Sequence, residues 1–388
     1  MGRKLRIALV GGGIGGLTAA AALSRHGIEA HVFEQSSELR EIGSGIGISA
    51  NAVKVLRRLG LEDALRERGF EPEASVGRDW TTARALFRVP LNDGRFGAPH
   101  LNIHRADLLE ILAAGVSPAQ IHLDSRCVAV SSCDHEAALA FSDGRQEEAD
   151  LVVGCDGIRS LVRATLHGAD APRFTGNVCW RALIPVETLP PGHVPHDVTT
   201  WVGPGGHIMT YYVRGGQLVN VVAMRETTKW ADECWAAPGS PEEFLTAYAD
   251  VHPHLLTVLS KVEDCLKWGL FDRDPLQIWT NRRVTLLGDA AHPMLPALGQ
   301  GAAMAIEDAY VLARALSSAR EDIALALRVY EAARVPRTTQ VQLASRKQAE
   351  IFHQHSGRSA DLRVDWIYHY DPTSIPIAAS DVRATDLP

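Results

Sequence analysis

A glycine-rich turn near the start of the chain constrains the fold more than any other feature of the sequence. The continuous apolar run LRIALV leads into VGGGIGG, which contains G-x-G-x-x-G as Gly11, Gly13 and Gly16. Such a run is typical of a buried parallel strand, and the helical segment GGLTAAAALSRHG and a second strand, EAHVFEQ, follow it. The sequence therefore predicts a β-α-β unit of the Rossmann type.

Each glycine of this turn has its own role in binding a dinucleotide. Gly11 permits the tight turn, Gly13 lets the backbone approach a pyrophosphate, and Gly16 lets the helix pack against the strand. The N-terminus of the helix then presents N–H groups to the phosphates. Glu34 ends the second strand, where a carboxylate can accept hydrogen bonds from ribose hydroxyls. The turn alone does not distinguish NAD from FAD, and a glycine-rich turn beside an exposed glutamate is the alternative without a ligand.

A second segment, RVTLLGDAAHPMLPALGQGAAMAIEDA, has the features of another ligand site late in the chain. Its buried strand ends at Asp289, which can bind a ribityl or ribose hydroxyl. Gly299 and Gly301 precede a helix, and the helix dipole with its N–H groups can stabilise negative charge on a reduced flavin. An ordinary strand-loop-helix with an exposed aspartate is the alternative.

The pattern of apolar and polar residues changes in the middle of the chain. From about Gly176 to Phe271, short alternating segments such as HIMTYYV and QLVNVVAM are separated by glycine and proline. We therefore predict an α/β fold with a Rossmann-type nucleotide-binding domain, an inserted, largely antiparallel β-sheet substrate domain and a C-terminal helical segment. The predicted ranges are 1–175 and 272–320 for the discontinuous nucleotide-binding domain, 176–271 for the substrate-binding domain and 321–388 for the C-terminal helix and tail.

Charge and composition argue against several classes of partner. The net charge of −7 disfavours nucleic acid or an anionic membrane as the main partner, and no apolar run is long enough to span a bilayer. The N-terminus runs directly into a strand and does not resemble a signal peptide. The six cysteines are scattered and suit reduced thiols, and no histidine or cysteine spacing suggests a metal site. We expect a cytoplasmic protein without metal, and a homodimer is left open.

Two further motifs carry a resemblance to a known family. The segments DLVVGCDGIRSLVR and GDAAHPMLPALGQGAAMAIEDA resemble the Asp-Gly and Gly-Asp motifs of the group A flavin-dependent aromatic hydroxylases. This family includes the p-hydroxybenzoate, salicylate, 3-hydroxybenzoate and 6-hydroxynicotinate hydroxylases. With VGGGIGG the segments form the family's set of motifs in the right order, and the resemblance extends over nearly the whole chain. It implies the p-hydroxybenzoate hydroxylase fold and a monooxygenase that uses noncovalent FAD, transient NAD(P)H, O2 and a small aromatic substrate.

The resemblance also implies which residues form the FAD-binding domain's site. Arg105, in IHRADL, matches the family's arginine near the pyrophosphate, with a solvated helix charge as the alternative. Asp156 and Gly157 match a motif that the family links to both FAD and nicotinamide binding. The cofactor-binding residues so implied are Gly11, Gly13, Gly16, Glu34, Arg105, Asp156, Asp289, Gly299, Gly301 and Ala302. The family has no separate nicotinamide domain, which agrees with a single full Rossmann fingerprint in this chain.

A strand of the inserted sheet carries the candidate catalytic residues. In GGHIMTYYVR, alternation places His207, Met209 and Tyr211 on one face of the strand. A histidine and a tyrosine there could handle a phenolic proton, and an aromatic ring is attacked more readily as its phenolate. The stretch resembles the His-x-x-x-Tyr segment of the 3-hydroxybenzoate and 6-hydroxynicotinate hydroxylases, which implies catalytic roles for His207 and Tyr211. A buried strand with a structural histidine and tyrosine is the alternative.

Several features leave the particular substrate open. Gly47 stands where the 6-hydroxynicotinate enzymes have a histidine, and Pro296 where some 3-hydroxybenzoate enzymes have a glutamine. Arg181 and Arg214 are candidates for binding a substrate carboxylate by charge alone. A urate-type FAD hydroxylase is the alternative within this chemistry, disfavoured because His207 falls where that group has an arginine. An NAD-linked dehydrogenase and a non-hydroxylating flavin-binding protein are the alternatives outside it.

Overall fold

A computed structural model describes residues 5–39, 44–227, 237–353 and 364–377 of the chain. Its strands are β1 (Ile7–Val10), β2 (Ala30–Phe33), β3 (Gly45–Ile48), β4 (Ala74–Asp79), β5 (Ala85–Pro90), β6 (Leu101–His104), β7 (Ile121–His122), β8 (Cys127–Ser132), β9 (Ala137–Phe141), β10 (Gln146–Ala149), β11 (Leu151–Gly154), β12 (Arg173–Pro185), β13 (Val198–Gly203), β14 (Gly206–Val213), β15 (Leu218–Glu226), β16 (Ala237–Gly239), β17 (Cys265–Asp272) and β18 (Val284–Leu286). Its α-helices are α1 (Ile14–Arg25), α2 (Ala50–Leu59), α3 (Glu62–Arg68), α4 (Arg105–Ala114), α5 (Leu161–His167), α6 (Pro241–Ala247), α7 (Pro253–Leu259), α8 (Gly301–Ser318), α9 (Ile323–His353) and α10 (Asp365–His369).

The first sheet is parallel and contains the strands that the sequence assigns to a Rossmann-type domain. Its order is β18-β11-β1-β2-β7, and every neighbouring pair in it is parallel. Strands β1, β11 and β18 are buried throughout, as expected for a sheet covered on both faces. Because the carboxyl ends of parallel strands meet at one edge, the loops after β1, β2, β11 and β18 lie together. The predicted Rossmann-type fold is confirmed.

The glycine turn after β1 has the geometry that its sequence predicts. Gly11 has a φ of 110°, and a Cβ there would lie 2.5 Å from the carbonyl oxygen of Cys155. A Cβ on Gly16 would lie 2.0 Å from the carbonyl oxygen of Gly11, so only glycine lets α1 pack this closely. Gly13 differs, because a Cβ on it would meet no atom of the described residues within 4 Å. The turn is therefore closed on its inner side and open at Gly13.

The second sheet has eight strands in the order β16-β17-β12-β15-β14-β13-β4-β5. Neighbours are antiparallel except β13 and β4, so the prediction of a largely antiparallel sheet is confirmed. Strands β4 and β5 belong to this sheet and lie before residue 176 in the chain. Strand β4 pairs with β13 in parallel, with Ser75 opposite Val198. A pairing between strands so far apart in the chain leaves no local turn signal in the sequence.

The two faces of this large sheet bury different residues. Ile208 and Tyr212 belong to an outer cluster with Phe244 of α6 and Leu255 of α7. The inner face carries a second cluster, formed by Cys179, Tyr211, Val213, Val222, Met224 and Trp268, with Met209 packed against it. The predicted alternation along β14 is therefore confirmed.

The C-terminal part of the described chain is helical and is joined to the rest by side chains. The predicted helical tract of 321–354 is the long helix α9, which packs against α8 and β14. Helix α10 is held by Lys54, whose Nζ donates to the carbonyls of Tyr368, His369 and Tyr370. Across the four described ranges, none of the helices combines the length and the apolar character that crossing a bilayer requires.

Candidate active site

Glu34 is fixed beside the glycine turn at the carboxyl end of β2. Its Oε2 accepts a hydrogen bond of 2.7 Å from the Gly12 N–H, and its Oε1 accepts one of 2.9 Å from the Ser36 N–H. A carboxylate has about four acceptor positions, so both oxygens can accept further donors. The carboxylate is thus held in place and can bind a ribose hydroxyl near the open side of Gly13.

Arg105 and Asp289 come from two separate elements and lie close enough for their opposite charges to interact. Arg105 is the first residue of α4, and its backbone N–H donates to the Ser44 carbonyl at 2.9 Å. Burial and then the neighbouring Arg181 lower the pKa of Arg105 to about 10, while Asp289 opposes the shift. Arg105 therefore remains a cation at neutral pH.

Asp289 lies in the turn after β18, where it is exposed to solvent and yet has enough protein around it for burial to affect its pKa. This combination is expected for a side chain that lines a cleft. Burial raises its pKa, and His292 and Arg105 act against that rise. A partly desolvated carboxylate that faces a cleft can accept hydrogen bonds from ligand hydroxyls.

The segment before α8 presents its backbone to the same cleft. Gly299 has a φ of 62°, and within the described chain no atom lies within 4 Å of where its Cβ would be. Helix α8 begins at Gly301, and its first N–H groups, including that of Ala302, have no helical carbonyl to bind. The side chain of Gln300 ties this end of α8 to the start of α2, because its Nε2 donates to Ser49 Oγ at 3.1 Å. The predicted placement of Gly299 and Gly301 at a helix N-terminus is confirmed.

A buried network of charged side chains packs against this segment. It was not predicted from the sequence. Asp308 accepts hydrogen bonds from the Gly288 N–H at 3.1 Å, from His292 Nε2 at 2.5 Å and from Arg334 Nε at 2.7 Å. Glu307 binds Arg334 at 2.7 Å, and Glu307, Asp308 and Arg334 are all fully buried. Burial alone would raise the pKa of Asp308, but His292 and Arg334 hold it below the usual value. The network fixes the turn that carries Asp289.

Hydrogen bonds connect the Asp-Gly segment to the turn after β18. Asp156 accepts hydrogen bonds from Ser160 Oγ and, at 3.1 Å, from the Val162 N–H at the start of α5, and burial raises its pKa. Arg163 donates to the carbonyls of Ala290 and Ala291 at 3.2 and 3.1 Å, which connects this segment to the turn after β18. The contacts of Asp156 are therefore those of a residue that caps a helix, and its role toward FAD stays a prediction.

His207 and Tyr211 both lie on the inner face of the large sheet. His207 is fully buried, and its ring centroid is 4.7 Å from that of Phe352 on α9. It lines a small cavity together with Pro296 and Ala297, which belong to the segment before α8. Tyr211 lies against the start of β3, because a Cβ on Gly45 would lie 2.9 Å from its ring.

The two candidate catalytic residues lie on the same face of β14, with Met209 between them. Four residue steps along the strand place their Cα atoms roughly 13 Å apart. Burial raises the pKa of Tyr211 to about 12, against the effect of the nearby Arg181, so its hydroxyl stays protonated and can donate. A small ring between them could present one substituent to His207 and a different one to Tyr211.

Only one of the two candidate carboxylate-binding arginines lies on the inner face. Arg181 lies two residues after Cys179 on β12, so both side chains are on the inner face. Its guanidinium donates to Ser44 Oγ at 2.8 Å and stacks over the Trp268 ring at 4.7 Å. Arg214 follows the end of β14 and is paired with Asp107 at 3.1 Å. The geometry therefore favours Arg181, a distinction that charge alone could not make.

Together these residues fit an FAD molecule lying along the cleft. The open backbone at Gly13 could approach the pyrophosphate with Arg105 as its cation, and Glu34 could bind the adenosine ribose. Asp289 could bind the ribityl chain, and the start of α8 could face the flavin ring. His207 and Tyr211 would then lie across the ring from these loops.

Comparisons with known proteins agree with this arrangement. Residues 4–345 match a family model described as an FAD binding domain. The chain is 41% identical to 3-amino-4-hydroxybenzoate 2-monooxygenase of Streptomyces platensis over 361 residues, which cover 92% of this chain and 91% of that one. It is 35% identical to 6-hydroxynicotinate 3-monooxygenase of Bordetella bronchiseptica over 381 residues, covering 96% of this chain and 97% of that one.

A similar fold is found in the structure of a salicylate hydroxylase substrate complex. The TM-score is 0.82 at 28% identity, and the match covers 95% of this chain and 96% of that chain. The resemblance inferred from the sequence motifs is thereby confirmed, as are FAD as cofactor, NAD(P)H and O2 as co-substrates and a small aromatic compound as substrate. The chain belongs to the FAD-dependent aromatic hydroxylases and is a flavoprotein monooxygenase.

Proposed function

We propose that this monooxygenase hydroxylates a phenolic or hydroxylated N-heteroaromatic carboxylic acid, with the ring held between His207 and Tyr211. The observation that carries the proposal is their shared position on the inner face of the large sheet. His207 lies against the segment of Pro296 and Ala297 before α8, and Tyr211 lies against the start of β3 at Gly45. When bound, FAD supplies electron transfer from NAD(P)H and the activation of O2.

We assign the phenolic proton to His207. A free phenol has a pKa of about 10 and an imidazole one of about 6.5, so the imidazole acts mainly as charge develops during the reaction. Removal of the proton enriches the ring positions ortho and para to the oxygen in electrons, and these positions then attack an electrophilic oxygen more readily. Full burial of His207 keeps bulk water from this proton transfer.

We assign the substrate carboxylate to the opposite end of the site. Tyr211 is protonated at neutral pH and can donate a hydrogen bond, while Arg181 adds a permanent positive charge nearby. Donors of this kind form strong, charge-assisted hydrogen bonds with carboxylates. The two relatives support this assignment, since the compounds in their names, 3-amino-4-hydroxybenzoate and 6-hydroxynicotinate, both carry a hydroxyl and a carboxylate on one ring.

A panel of aromatic acids tests the proposal directly. The holoenzyme would be given 3-amino-4-hydroxybenzoate, 3-hydroxybenzoate, salicylate, 6-hydroxynicotinate and urate, each with NADH or NADPH. Product must be quantified beside NAD(P)H oxidation, because flavin that is reoxidised without hydroxylation consumes NAD(P)H and releases peroxide. We expect at least one of the hydroxylated acids to give product in step with NAD(P)H. Coupled turnover of urate alone would overturn the proposal in favour of a urate-type hydroxylase.

A further inference from the structure

Asn177 carries a buried oxygen whose orientation is fixed by the rest of its own side chain. The residue lies on the inner face of β12, two positions before Cys179. Its Nδ2 donates to the Thr175 carbonyl at 3.1 Å, which decides the orientation of the amide because that carbonyl needs a donor. Oδ1 then points the other way, and within the described part of the chain no donor reaches it.

The space beside this oxygen has the size of a single small group. Asn177 and His207 are the polar side chains around a cavity of about 10 Å³, whose other walls are apolar residues such as Met224, Leu270 and Leu295. This volume accommodates one water molecule or one substituent of similar size on a ring. Asn177 and Leu295 also line a neighbouring pocket of about 450 Å³.

We propose that Asn177 is a specificity-determining residue that accepts a hydrogen bond from an N–H or O–H group ortho to the hydroxyl bound by His207. This inference rests on the proposed function. The ionised phenolic oxygen cannot serve Asn177, because it has no proton to donate. A neighbouring ring substituent can, since ortho groups lie side by side and His207 and Asn177 line the same cavity.

The substrate class that follows is an ortho-aminophenol or catechol carboxylic acid. A buried carbonyl oxygen without a donor is costly, so a site of this kind discriminates against an analogue that has the right shape but lacks the donor. A methyl group is similar in size to an amino group and cannot donate. The pair 3-amino-4-hydroxybenzoate and 3-methyl-4-hydroxybenzoate therefore isolates the proposed hydrogen bond.

Binding in the absence of NAD(P)H tests the proposal without turnover. Calorimetric titration of the FAD-loaded enzyme should give a Kd for the amino compound roughly 10- to 100-fold lower than for the methyl compound. Asn177→Leu should bring the ratio of the two Kd values close to one, whereas Asn177→Asp, which keeps an acceptor, should preserve the preference. Met224→Leu changes the same cavity without a polar group and should shift both Kd values alike.

The proposal is overturned if the wild-type enzyme prefers neither compound or binds neither, or if Asn177→Leu keeps the wild-type ratio. Should Asn177→Leu fail to fold or to retain FAD, the wild-type ratio and the Asn177→Asp variant still decide the matter. Failure of the proposed function looks different. The amino compound would then bind in preference to the methyl compound, yet no acid of the panel would be hydroxylated.

Discussion

At the scale of single residues, the role assigned to Tyr211 depends on its buried hydroxyl. With a pKa of about 12, Tyr211 remains a donor over the whole pH range in which the enzyme can be assayed. Tyr211→Phe removes that donor from a substrate carboxylate, and we expect KM to rise roughly 10- to 100-fold with a smaller change in kcat. Steady-state kinetics at several pH values measure both constants, and no step in KM should arise from Tyr211 below its pKa.

The neighbouring tyrosine on the same strand is a matched control. Tyr212 faces the outer cluster, where its hydroxyl donates to the Val194 carbonyl at 2.8 Å. Tyr212→Phe should lower the melting temperature and leave KM unchanged. Equal KM effects of the two substitutions would show that Tyr211 acts through the strand and not on the substrate.

Glu34 provides a second test at this scale. Removing an ionised acceptor of a ribose hydrogen bond costs about 1.5–3 kcal/mol, so Glu34→Ala should weaken FAD binding roughly 10- to 150-fold with the same hydroxylated product. The substitution also removes the contacts to the Gly12 and Ser36 N–H groups, which adds to the loss. Glu29→Ala alters an exposed acid just before the other end of β2 and serves as the control. Equal FAD affinities for the two variants, measured by equilibrium dialysis, would contradict the assignment.

At the scale of secondary-structure elements, the contact of α8 with α9 depends on a buried cation. Arg334→Met removes the guanidinium that Glu307 and Asp308 share and leaves them only Arg337 and His292 as cationic partners. Breaking a buried ion pair by removing one partner costs about 3–5 kcal/mol. Arg328→Met on the exposed side of α9 should change stability by less than about 0.5 kcal/mol. Urea denaturation of the two FAD-loaded variants measures both effects, and a small effect of Arg334→Met would contradict the importance of the network.

The same network gives the stability a defined dependence on pH. The pKa of Asp308 is lower in the folded chain than the ordinary 3.8, so the ionised carboxylate stabilises the fold. This contribution is present above the ordinary pKa and is lost as the pH falls through the lower folded value. Acid should therefore destabilise the wild-type protein more than Arg334→Met, in which that contribution is already reduced.

Elements that follow from local sequence patterns could be predicted, and those that depend on distant partners could not. Strand β1 and the turn at Gly11 follow from an apolar run and a glycine spacing that lie side by side in the chain. Strands β4 and β5 were not assigned to the large sheet, because their place depends on pairing with β13 far along the chain. Likewise, the acidic pair in IEDA is visible in the sequence, but only the fold brings Arg334 against it.

The candidate site was predictable to the same extent. Motif spacing placed Gly299, Gly301 and Asp289 correctly at the ends of their elements, because each is defined by its neighbours in sequence. Asn177 has no such signal, since an asparagine in an alternating strand is unremarkable until His207 is seen beside it. The preference for Arg181 over Arg214 also required the fold, which pairs Arg214 with Asp107 outside the inner face.

At the scale of the whole molecule, the two sheets carry different parts of the proposed active site. The parallel sheet gathers at one edge the loops that could hold FAD, and the inner face of the large sheet carries His207 and Tyr211. The FAD-dependent monooxygenase function is a property of this joint arrangement, shared with relatives over nearly the full chain. The domain division at 175 and 272, a homodimer and a cytoplasmic location stay predictions from the sequence.

If the two sheets enclose an aromatic hydroxyl against His207, replacing this residue should impair hydroxylation without loss of FAD. His207→Ala should retain FAD and be reduced by NAD(P)H normally, because His207 lies on the sheet that does not carry the dinucleotide loops. Loss of a positioned acid–base group should slow oxygen transfer by about 10²–10⁴. Ile208→Val, on the outer face of the same strand, is the control and should couple normally.

The decisive measurement is the ratio of hydroxylated product to NAD(P)H consumed, followed by rapid mixing across pH for the wild type and His207→Ala. We expect a low ratio for the variant at neutral pH. That ratio should rise with pH, since solvent then ionises the phenol, whose pKa is about 10, without help. A variant that hydroxylates with the wild-type ratio at neutral pH would contradict the account and leave His207 as a structural residue of β14.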